Sequence, residues 1–387
     1  MKRGETGRYE VTTTAGEPVR AFIPNSLPPV PPLVLEGSVQ QTLERALLAL
    51  GRLDSLSTLL PDTGFFLYAY VRKEAVLSSQ IEGTQSSLSD LLLFELEESP
   101  GVPIDDVVEV SNYVAAMEHG LKRLRGGFPL STRLIREIHG ILLARGRGSE
   151  KAPGQFRHTQ NWIGGSRPGN AVFVPPPPQA VEQCMSDLEH FLHAKDDHIP
   201  LVIRTALAHV QFETIHPFLD GNGRVGRLLM TFLLCQGQVM REPLLYLSLF
   251  LKQNRAEYYR LLDGVRKEGD WESWIEFFLE GVLQTAQNAV STAQRLAALF
   301  QADRTRIKEK GRAAGSALRV HDVIKERPVT SLQGISRRAA LSFPAASAGM
   351  ALLEDEGIVR ELTGKKRNRL FGYSRYLAIL AEGTEAP

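Results

Sequence analysis

The sequence has little cysteine, almost no net charge and no long apolar run. Among its 387 residues the only cysteines are Cys184 and Cys235, which form no disulfide framework and no zinc-ligand spacing. A formal net charge of +1 does not by itself indicate a polyanionic partner. Residues 1–5 lack the apolar core of a signal peptide, and no apolar run approaches membrane-spanning length. These absences predict a cytoplasmic protein with no membrane partner.

Composition and periodicity predict a mainly helical protein. Hydrophobic residues make up 43% and charged residues 23% of the chain, as in soluble proteins with a sizeable core. The length predicts two or three structural units. Helical patterns dominate from residue 38 to about residue 300. The first forty residues contain five closely spaced prolines and are predicted to form an extended arm: Pro24, Pro28, Pro29, Pro31 and Pro32.

The most informative segment is residues 216–227, which read His-Pro-Phe-Leu-Asp-Gly-Asn-Gly-Arg-Val-Gly-Arg. Helical patterns over residues 199–215 and 224–236 place it between two helices. The start of a helix attracts anions, and Gly221 and Gly223 allow several N–H groups to converge on one phosphate. Arg224 and Arg227 are neighbours on one helical face and can both reach phosphate oxygens. This part of the segment predicts a polyphosphate site.

Two further residues of the segment add chemistry. Asp220 is a hard oxygen ligand of the kind that suits Mg2+ better than Zn2+. His216 is a natural base near neutral pH. Each has a structural alternative, because a lone histidine often caps a helix and an Asp-Gly-Asn-Gly run is often a turn. The combination favours phosphate-anhydride chemistry on a nucleotide, with Phe218 anchoring the loop in the core.

The segment resembles the active-site signature of the Fic-domain family, His-x-Phe-x-(Asp/Glu)-Gly-Asn-Gly-Arg-x-x-Arg, at every fixed position. Most studied members transfer AMP from ATP to a hydroxyl of a target protein. The resemblance implies that His216 deprotonates this hydroxyl and that Asp220 holds Mg2+ between the α- and β-phosphates. It also implies a set of ATP-binding residues, with the last on the γ-phosphate: Gly221, Asn222, Gly223, Arg224 and Arg227.

A second segment, Ser-Ser-Gln-Ile-Glu-Gly at residues 78–83, matches the inhibitory pattern of the same family at Ser78, Glu82 and Gly83. It ends a helical stretch that starts near residue 65, with Gly83 as a C-cap. A carboxylate at the negative end of a helix is unfavourable unless a cation meets it. The resemblance implies that Glu82 pairs with Arg227 and blocks the γ-phosphate position. The alternative is an exposed glutamate at a helix end.

Two further features fit the family less specifically. Apolar runs at residues 162–165 and 171–174, around a Gly/Pro/Asn-rich turn, predict a β-hairpin that the proline run at 175–178 ends. In the family such a hairpin is a flap that clamps the target; the alternative is a plain surface hairpin. Tyr258 and Tyr259 match a tyrosine pair that the family places near the adenine. Otherwise such tyrosines are core residues with bonded hydroxyls.

The C-terminal segment predicts three helices, at 317–325, 331–340 and 344–356, followed by strands near 357–359 and 370–373. This order resembles a winged helix-turn-helix. Residues 303–375 hold 16 Lys or Arg against 8 Asp or Glu, and the basic turn at 365–369 suits phosphate contact. The third helix, however, offers alanine and serine where a groove reader needs long polar side chains. DNA binding, dimerisation and protein docking stay open.

Together these features predict a Fic-fold helical core with a β-hairpin flap and a C-terminal winged helix. The predicted units are an arm (1–40), a helical region with the inhibitory helix (41–110), the catalytic core (111–300), a linker (301–315) and the winged helix (316–387). The charged run at 304–310 within the predicted linker is typical of either a solvated helix or a linker. The expected function is autoinhibited AMP transfer from ATP, with Mg2+, to a Ser, Thr or Tyr hydroxyl of a target protein or of the chain itself. A homodimer is expected. The alternatives are another nucleotide donor, phosphate transfer, or a DNA-binding regulator with a nucleotide-sensing core.

Overall fold

The computed structural model describes residues 2–59, 64–96, 103–195 and 198–384, which form fifteen α-helices and five β-strands. The strands are β1 (Gly7–Thr14), β2 (Glu17–Pro24), β3 (Val329–Ser331), β4 (Val359–Glu361) and β5 (Leu370–Tyr373). The helices are α1 (Ser38–Leu59), α2 (Gly64–Ile81), α3 (Leu88–Phe94), α4 (Ile104–Arg125), α5 (Thr132–Leu142), α6 (Pro178–His193), α7 (Leu201–Ile215), α8 (Asn222–Gln236), α9 (Ser248–Gln253), α10 (Arg255–Glu268), α11 (Trp271–Lys308), α12 (Ala314–Glu326), α13 (Leu332–Arg338), α14 (Phe343–Asp355) and α15 (Ser374–Ala381). The predicted mainly helical fold class is confirmed.

The centre of the fold is the pair α7 and α8. Nearly every residue of both helices is buried, so each is covered on all sides by the rest of the protein. One buried polar side chain of α7 joins this core: His209 bonds the carbonyl oxygen of Gly226 at 3.2 Å and the hydroxyl of Tyr258 at 2.8 Å. The loop that joins α7 to α8 carries the signature segment. The fold therefore holds this loop between two fully packed helices.

The N-terminal forty residues differ from the predicted extended arm. β1 and β2 pair in an antiparallel hairpin, from Gly7 opposite Pro24 to Thr14 opposite Glu17. The outer strand β1 is largely exposed, whereas β2 buries Val19, Ala21 and Phe22. β1 reads Gly-Arg-Tyr-Glu-Val-Thr-Thr-Thr, and Tyr9 and Val11 alone give too few large apolar residues to indicate a strand. The prolines that suggested an arm lie mostly after the hairpin.

The predicted flap is a small hairpin. One bridge joins Ile163 to Phe173, and a 3-10 turn at Pro168–Asn170 closes it. The N-terminal hairpin lies against its second strand, because the N–H of Phe22 donates to the carbonyl oxygen of Val174 at 2.9 Å. The opposite edge, which includes Trp162, carries no such partner strand within the described chain.

The predicted linker at 301–315 is wrong in its first half, because α11 continues to Lys308 as one helix of 38 residues. The charged run that suggested a linker has a buried side: Asp303 accepts a hydrogen bond from the hydroxyl of Tyr373 at 2.7 Å, and Ile307 is fully buried. α11 thus joins the C-terminal segment to the body.

The C-terminal segment contains the three predicted helices as α12, α13 and α14. Its strands form a three-stranded antiparallel sheet in the order β3-β5-β4. Short strand β3 and terminal helix α15 were not predicted, and residues 385–387 of the predicted unit lie outside the described residues. Over the described ranges, no helix is long and apolar enough to cross a membrane.

Candidate active site

The loop between α7 and α8 is shaped by two left-handed residues. His216 ends α7 at φ 49°, and Gly221 precedes α8 at φ 76°. The side chain of Asn222 closes the loop, because it accepts from the N–H of Phe218 at 2.9 Å and donates to its carbonyl oxygen at 2.8 Å. As expected, Phe218 is fully buried, and its ring stacks on His139 at 3.7 Å between centroids. The loop is therefore rigidly held from inside.

His216 is half-buried at the end of α7. Its Nδ1 is buried and has no hydrogen-bond partner within the described residues. Burial, and then the charge of Arg157, lower the pKa of this imidazole to about 4. His216 is therefore neutral near pH 7, which is the form that can accept a proton.

Asp220 and Arg224 lie together at the start of α8. The Asp220 Oδ1 accepts from the N–H of Gly221 at 2.5 Å and from the Arg224 guanidinium at 3.3 Å. Arg224 is buried and also donates to Glu109 of α4 at 2.9 Å. Asp220 itself is partly exposed, so one oxygen orients the helix start while the carboxylate still reaches solvent. A partly exposed carboxylate of this kind could hold a hard cation such as Mg2+.

The second arginine of the signature meets the second motif. Arg227 donates from Nε to the Ser78 hydroxyl at 2.7 Å, and from Nη2 to the Ser78 carbonyl oxygen at 2.9 Å and to Glu82 at 2.7 Å. Burial would raise the pKa of Glu82, but the charge and hydrogen bond of Arg227 outweigh it and lower that pKa. A Cβ on Gly223 would lie 2.2 Å from the Glu82 Oε1, so this carboxylate rests directly on the first turn of α8. Gly83 follows at φ 102°.

The two candidate adenine-binding tyrosines have different environments. Tyr258 is buried, and its hydroxyl bonds the Nε2 of His209 at 2.8 Å. This is the core environment that sequence analysis kept as the alternative. Tyr259 is exposed beside it, with ring centroids 5.1 Å apart. Adenine binding by either residue stays a prediction, and the exposed Tyr259 is the better placed of the two.

Comparisons with known proteins identify the family of the chain. The family models "Fic/DOC family N-terminal" and "Fic/DOC family" match residues 40–122 and 129–234. The chain is a Fic-domain protein. It is 32% identical over 181 residues to "Protein adenylyltransferase Fic" of Drosophila grimshawi, covering 46% of this chain and 34% of that one. It is also 32% identical over 205 residues to the protein of the same name from Culex quinquefasciatus, covering 52% of this chain and 38% of that one. The chain thus spans between a third and two fifths of these curated relatives.

Solved structures support the Fic fold. A Fic family protein from Desulfovibrio desulfuricans G20 superposes with a TM-score of 0.58 at 21% identity, covering 89% of this chain and 98% of that one. A Fic domain containing signaling protein from Bacteroides thetaiotaomicron gives 0.53 at 20% identity, with 64% and 95% covered. At these identities the likeness concerns the fold alone.

Three polar residues near the signature have no role assigned from the sequence. Glu109 bonds Arg224 from a position 115 residues earlier. His139 bonds the Asp220 carbonyl oxygen at 3.0 Å and accepts from the N–H of Gly154 at 2.8 Å, which fixes it as the neutral tautomer. Arg157 donates to the His216 carbonyl oxygen. The available signal was a polar residue on an otherwise apolar helix face at Glu109 and His139, and the charge of Arg157 within the predicted flap segment.

Proposed function

We propose that this chain is a protein adenylyltransferase, which transfers AMP from ATP to a hydroxyl side chain of a target protein, itself included. The observation that carries the proposal is the first turn of α8, where a neutral histidine, a carboxylate and two arginines meet. His216 and Asp220 precede the turn, Arg224 lies on it, and Arg227 lies one turn further along α8. The name of the curated relatives supports the same activity.

The proposed reaction needs a base, an anion site and charge neutralisation. The target hydroxyl oxygen bonds to the α-phosphorus, the bond from that phosphorus to the pyrophosphate oxygen breaks, and the proton moves to His216. Because Nδ1 is buried, we assign Nε2 as the accepting atom. The first N–H groups of a helix lack intrahelical partners, so those of α8 can bind phosphate. Asp220 would hold Mg2+, which neutralises phosphate charge when bound.

We propose further that Glu82 inhibits this reaction. It neutralises Arg227 and lies over Gly223, which are the two elements that the γ-phosphate would need. A bound ATP would have to displace it. Ser78 supports the inhibited state by holding the same guanidinium with its hydroxyl and its carbonyl oxygen.

The proposed activity is tested with purified Glu82→Gly protein, Mg2+ and ATP labelled at either the α- or the γ-phosphate. Retention of the α label alone on protein, lost in Glu82→Gly/His216→Ala, is expected for AMP transfer. Retention of the γ label alone would mean phosphate transfer. If neither label is retained on the chain or on proteins of a cell extract, AMP transfer from ATP is wrong and another donor or a sensing role replaces it.

A second candidate function concerns the C-terminal segment. We infer that residues 316–384 form a winged helix, because the sheet order β3-β5-β4 puts the 362–369 connection in the position of a wing. Lys366 and Arg367 are exposed on this connection. The exposed residues of α14 include Phe343 and Ala348, which are poorly suited to reading bases. A DNA gel shift that weakens steeply with salt would support DNA binding. Its absence at low salt would favour a docking role, including the expected homodimer.

A further inference from the structure

A buried arginine lies directly behind the candidate base. The side chain of Arg157 is 2% exposed. Its Nε donates to the carbonyl oxygen of His216 at 2.9 Å, and its Nη2 donates to those of Ile215 at 3.3 Å and Pro176 at 2.6 Å. The backbone N–H of Arg157 also donates to the carbonyl oxygen of Pro217 at 2.9 Å. One residue thus binds three consecutive peptide units around the base.

The environment of this guanidinium is unusual for a residue that only stabilises the fold. Among the described residues its hydrogen bonds all end on carbonyl oxygens, with no carboxylate to balance the charge. A buried charge without a counter-ion is costly. Burial accordingly lowers the pKa of Arg157 to about 10. The compensation comes from the last carbonyl groups of α7, which are the negative end of that helix.

The hydrogen bonds of Arg157 connect the candidate base His216 to the end of the flap. His216 has a left-handed backbone at φ 49°, which costs about 1 kcal/mol or more for a residue other than glycine. Pro176 lies where the flap returns to the body, three residues after the bridge at Phe173. The same guanidinium therefore binds the strained backbone of His216 and the end of the flap at Pro176.

On the basis of the proposed function, we propose that Arg157 is a positioning residue: its guanidinium fixes the backbone of His216 relative to the flap, so that the imidazole meets a target hydroxyl held there. The charge of Arg157 also acts on the imidazole. It is the second cause, after burial, of the low pKa of His216. Arg266 lowers this pKa further, whereas Glu82 and the backbone of Glu213 raise it.

The test compares Arg157→Lys and Arg157→Met in the Glu82→Gly background. The matched control is Arg136→Met, because the exposed Arg136 bonds the Gly154 carbonyl oxygen of the same segment and has no bond to residues 215–217. kcat/KM for AMP transfer is measured against pH. Independently, the titration of the His216 ring is followed by NMR, with its signal assigned by His216→Ala. The NMR readout needs no turnover, so it still tests Arg157 if AMP transfer itself fails.

We expect Arg157→Lys to lose about 10- to 100-fold in kcat/KM, as for a misplaced base, while the His216 titration stays low because the charge is kept. Arg157→Met should show a similar loss, and both its acid limb and its His216 titration should move to higher pH. Arg136→Met should match its parent. If Arg157→Met keeps the parental rate and titration, the proposal is wrong. Equal losses of kcat/KM in all three variants, without a shift in the His216 titration, would also overturn it, because Arg157 would then only stabilise the fold. If Arg157→Met does not fold, Arg157→Lys decides alone: a parental kcat/KM refutes positioning.

Discussion

The pair of Glu82 and Arg227 allows the strength of the proposed inhibition to be calculated. The two groups are 2.7 Å apart, with 33% of the Glu82 side chain exposed and 1% of that of Arg227. A hydrogen bond between charged groups contributes roughly 1.5–3 kcal/mol. Because Glu82 is one third exposed, solvent screening puts the value near the lower part of this range, at about 2 kcal/mol. Since 1.36 kcal/mol is tenfold in rate, Glu82→Gly should accelerate self-labelling by roughly 30-fold.

The assay is the initial rate of label transfer from α-labelled ATP, at an ATP concentration below saturation. Glu82→Gln separates charge from bulk, because the amide still occupies the space over Gly223 but cannot neutralise Arg227. We expect its rate to lie between those of the parent and Glu82→Gly. A matched control is Glu95→Gln, which breaks the 2.8 Å ion pair between Glu95 and Arg72. Arg72 lies on α2, the helix that precedes Glu82.

Glu95→Gln should lower the melting temperature without accelerating transfer, because its partner lies on α2 away from the signature. The reasoning would be refuted if Glu82→Gly stayed within twofold of the parent while His216→Ala removed activity. It would also be refuted if Glu95→Gln accelerated transfer as much as Glu82→Gly. In that case any loosening of α2 would suffice, and the contact with Arg227 would not be the cause.

Three further predictions use different readouts. Under the proposed function His216 is the base, and its pKa is about 4, so kcat/KM in the Glu82→Gly background should change little from pH 8 to 6 and fall only as the pH approaches 4. Burial raises the pKa of Glu213 to about 7. The protonated Glu213 therefore stabilises the fold at acidic pH, and the free energy of unfolding should fall as the pH rises through 7. Glu213→Gln should remove about 3 kcal/mol of this pH dependence, which denaturation at pH 5 and pH 8 measures. Gln80 donates to the carbonyl oxygen of Thr384 at 3.0 Å. Gln80→Ala removes this hydrogen bond, which contributes about 1 kcal/mol, so it should loosen the inhibitory helix and raise the basal labelling rate roughly 5-fold. The same substitution should have no effect in the Glu82→Gly background.

How much could be predicted from the sequence depended on how far apart the interacting residues lie in it. The candidate site is contiguous over residues 216–227, so spacing alone placed the two helices and the buried Phe218. The bond between Glu109 and Arg224 crosses 115 residues, and no local pattern records it. The same holds for His139, which resembles an ordinary histidine on an apolar helix face.

The errors in the fold also have physical causes. No residue of β1 is fully buried, so its stability comes from pairing with β2, which the local sequence does not reveal. The predicted linker failed because a charged helix can still bury one side, as Asp303 and Ile307 do. Strand β3 has three residues and becomes a strand only through its partner β5. Tertiary contacts decided each of these cases.

The two signature arginines differ in a way that bears on which contact can be exchanged. Both are neutralised by carboxylates from preceding helices, Arg224 by Glu109 of α4 and Arg227 by Glu82 at the end of α2. Glu109 is 1% exposed, and burial raises its pKa, so a phosphate that displaced it from Arg224 would leave a buried carboxylate with only the half-exposed Arg147 as its partner. Glu82 can turn into water at much smaller cost, because a third of its side chain already faces solvent. Under the proposed function, ATP therefore exchanges only the partner of Arg227, while Arg224 stays oriented by Glu109. Glu109→Gln should then weaken ATP binding in the Glu82→Gly background. If Glu109 instead inhibited ATP binding, the same variant would bind ATP more tightly. Calorimetry with ATP distinguishes the two outcomes.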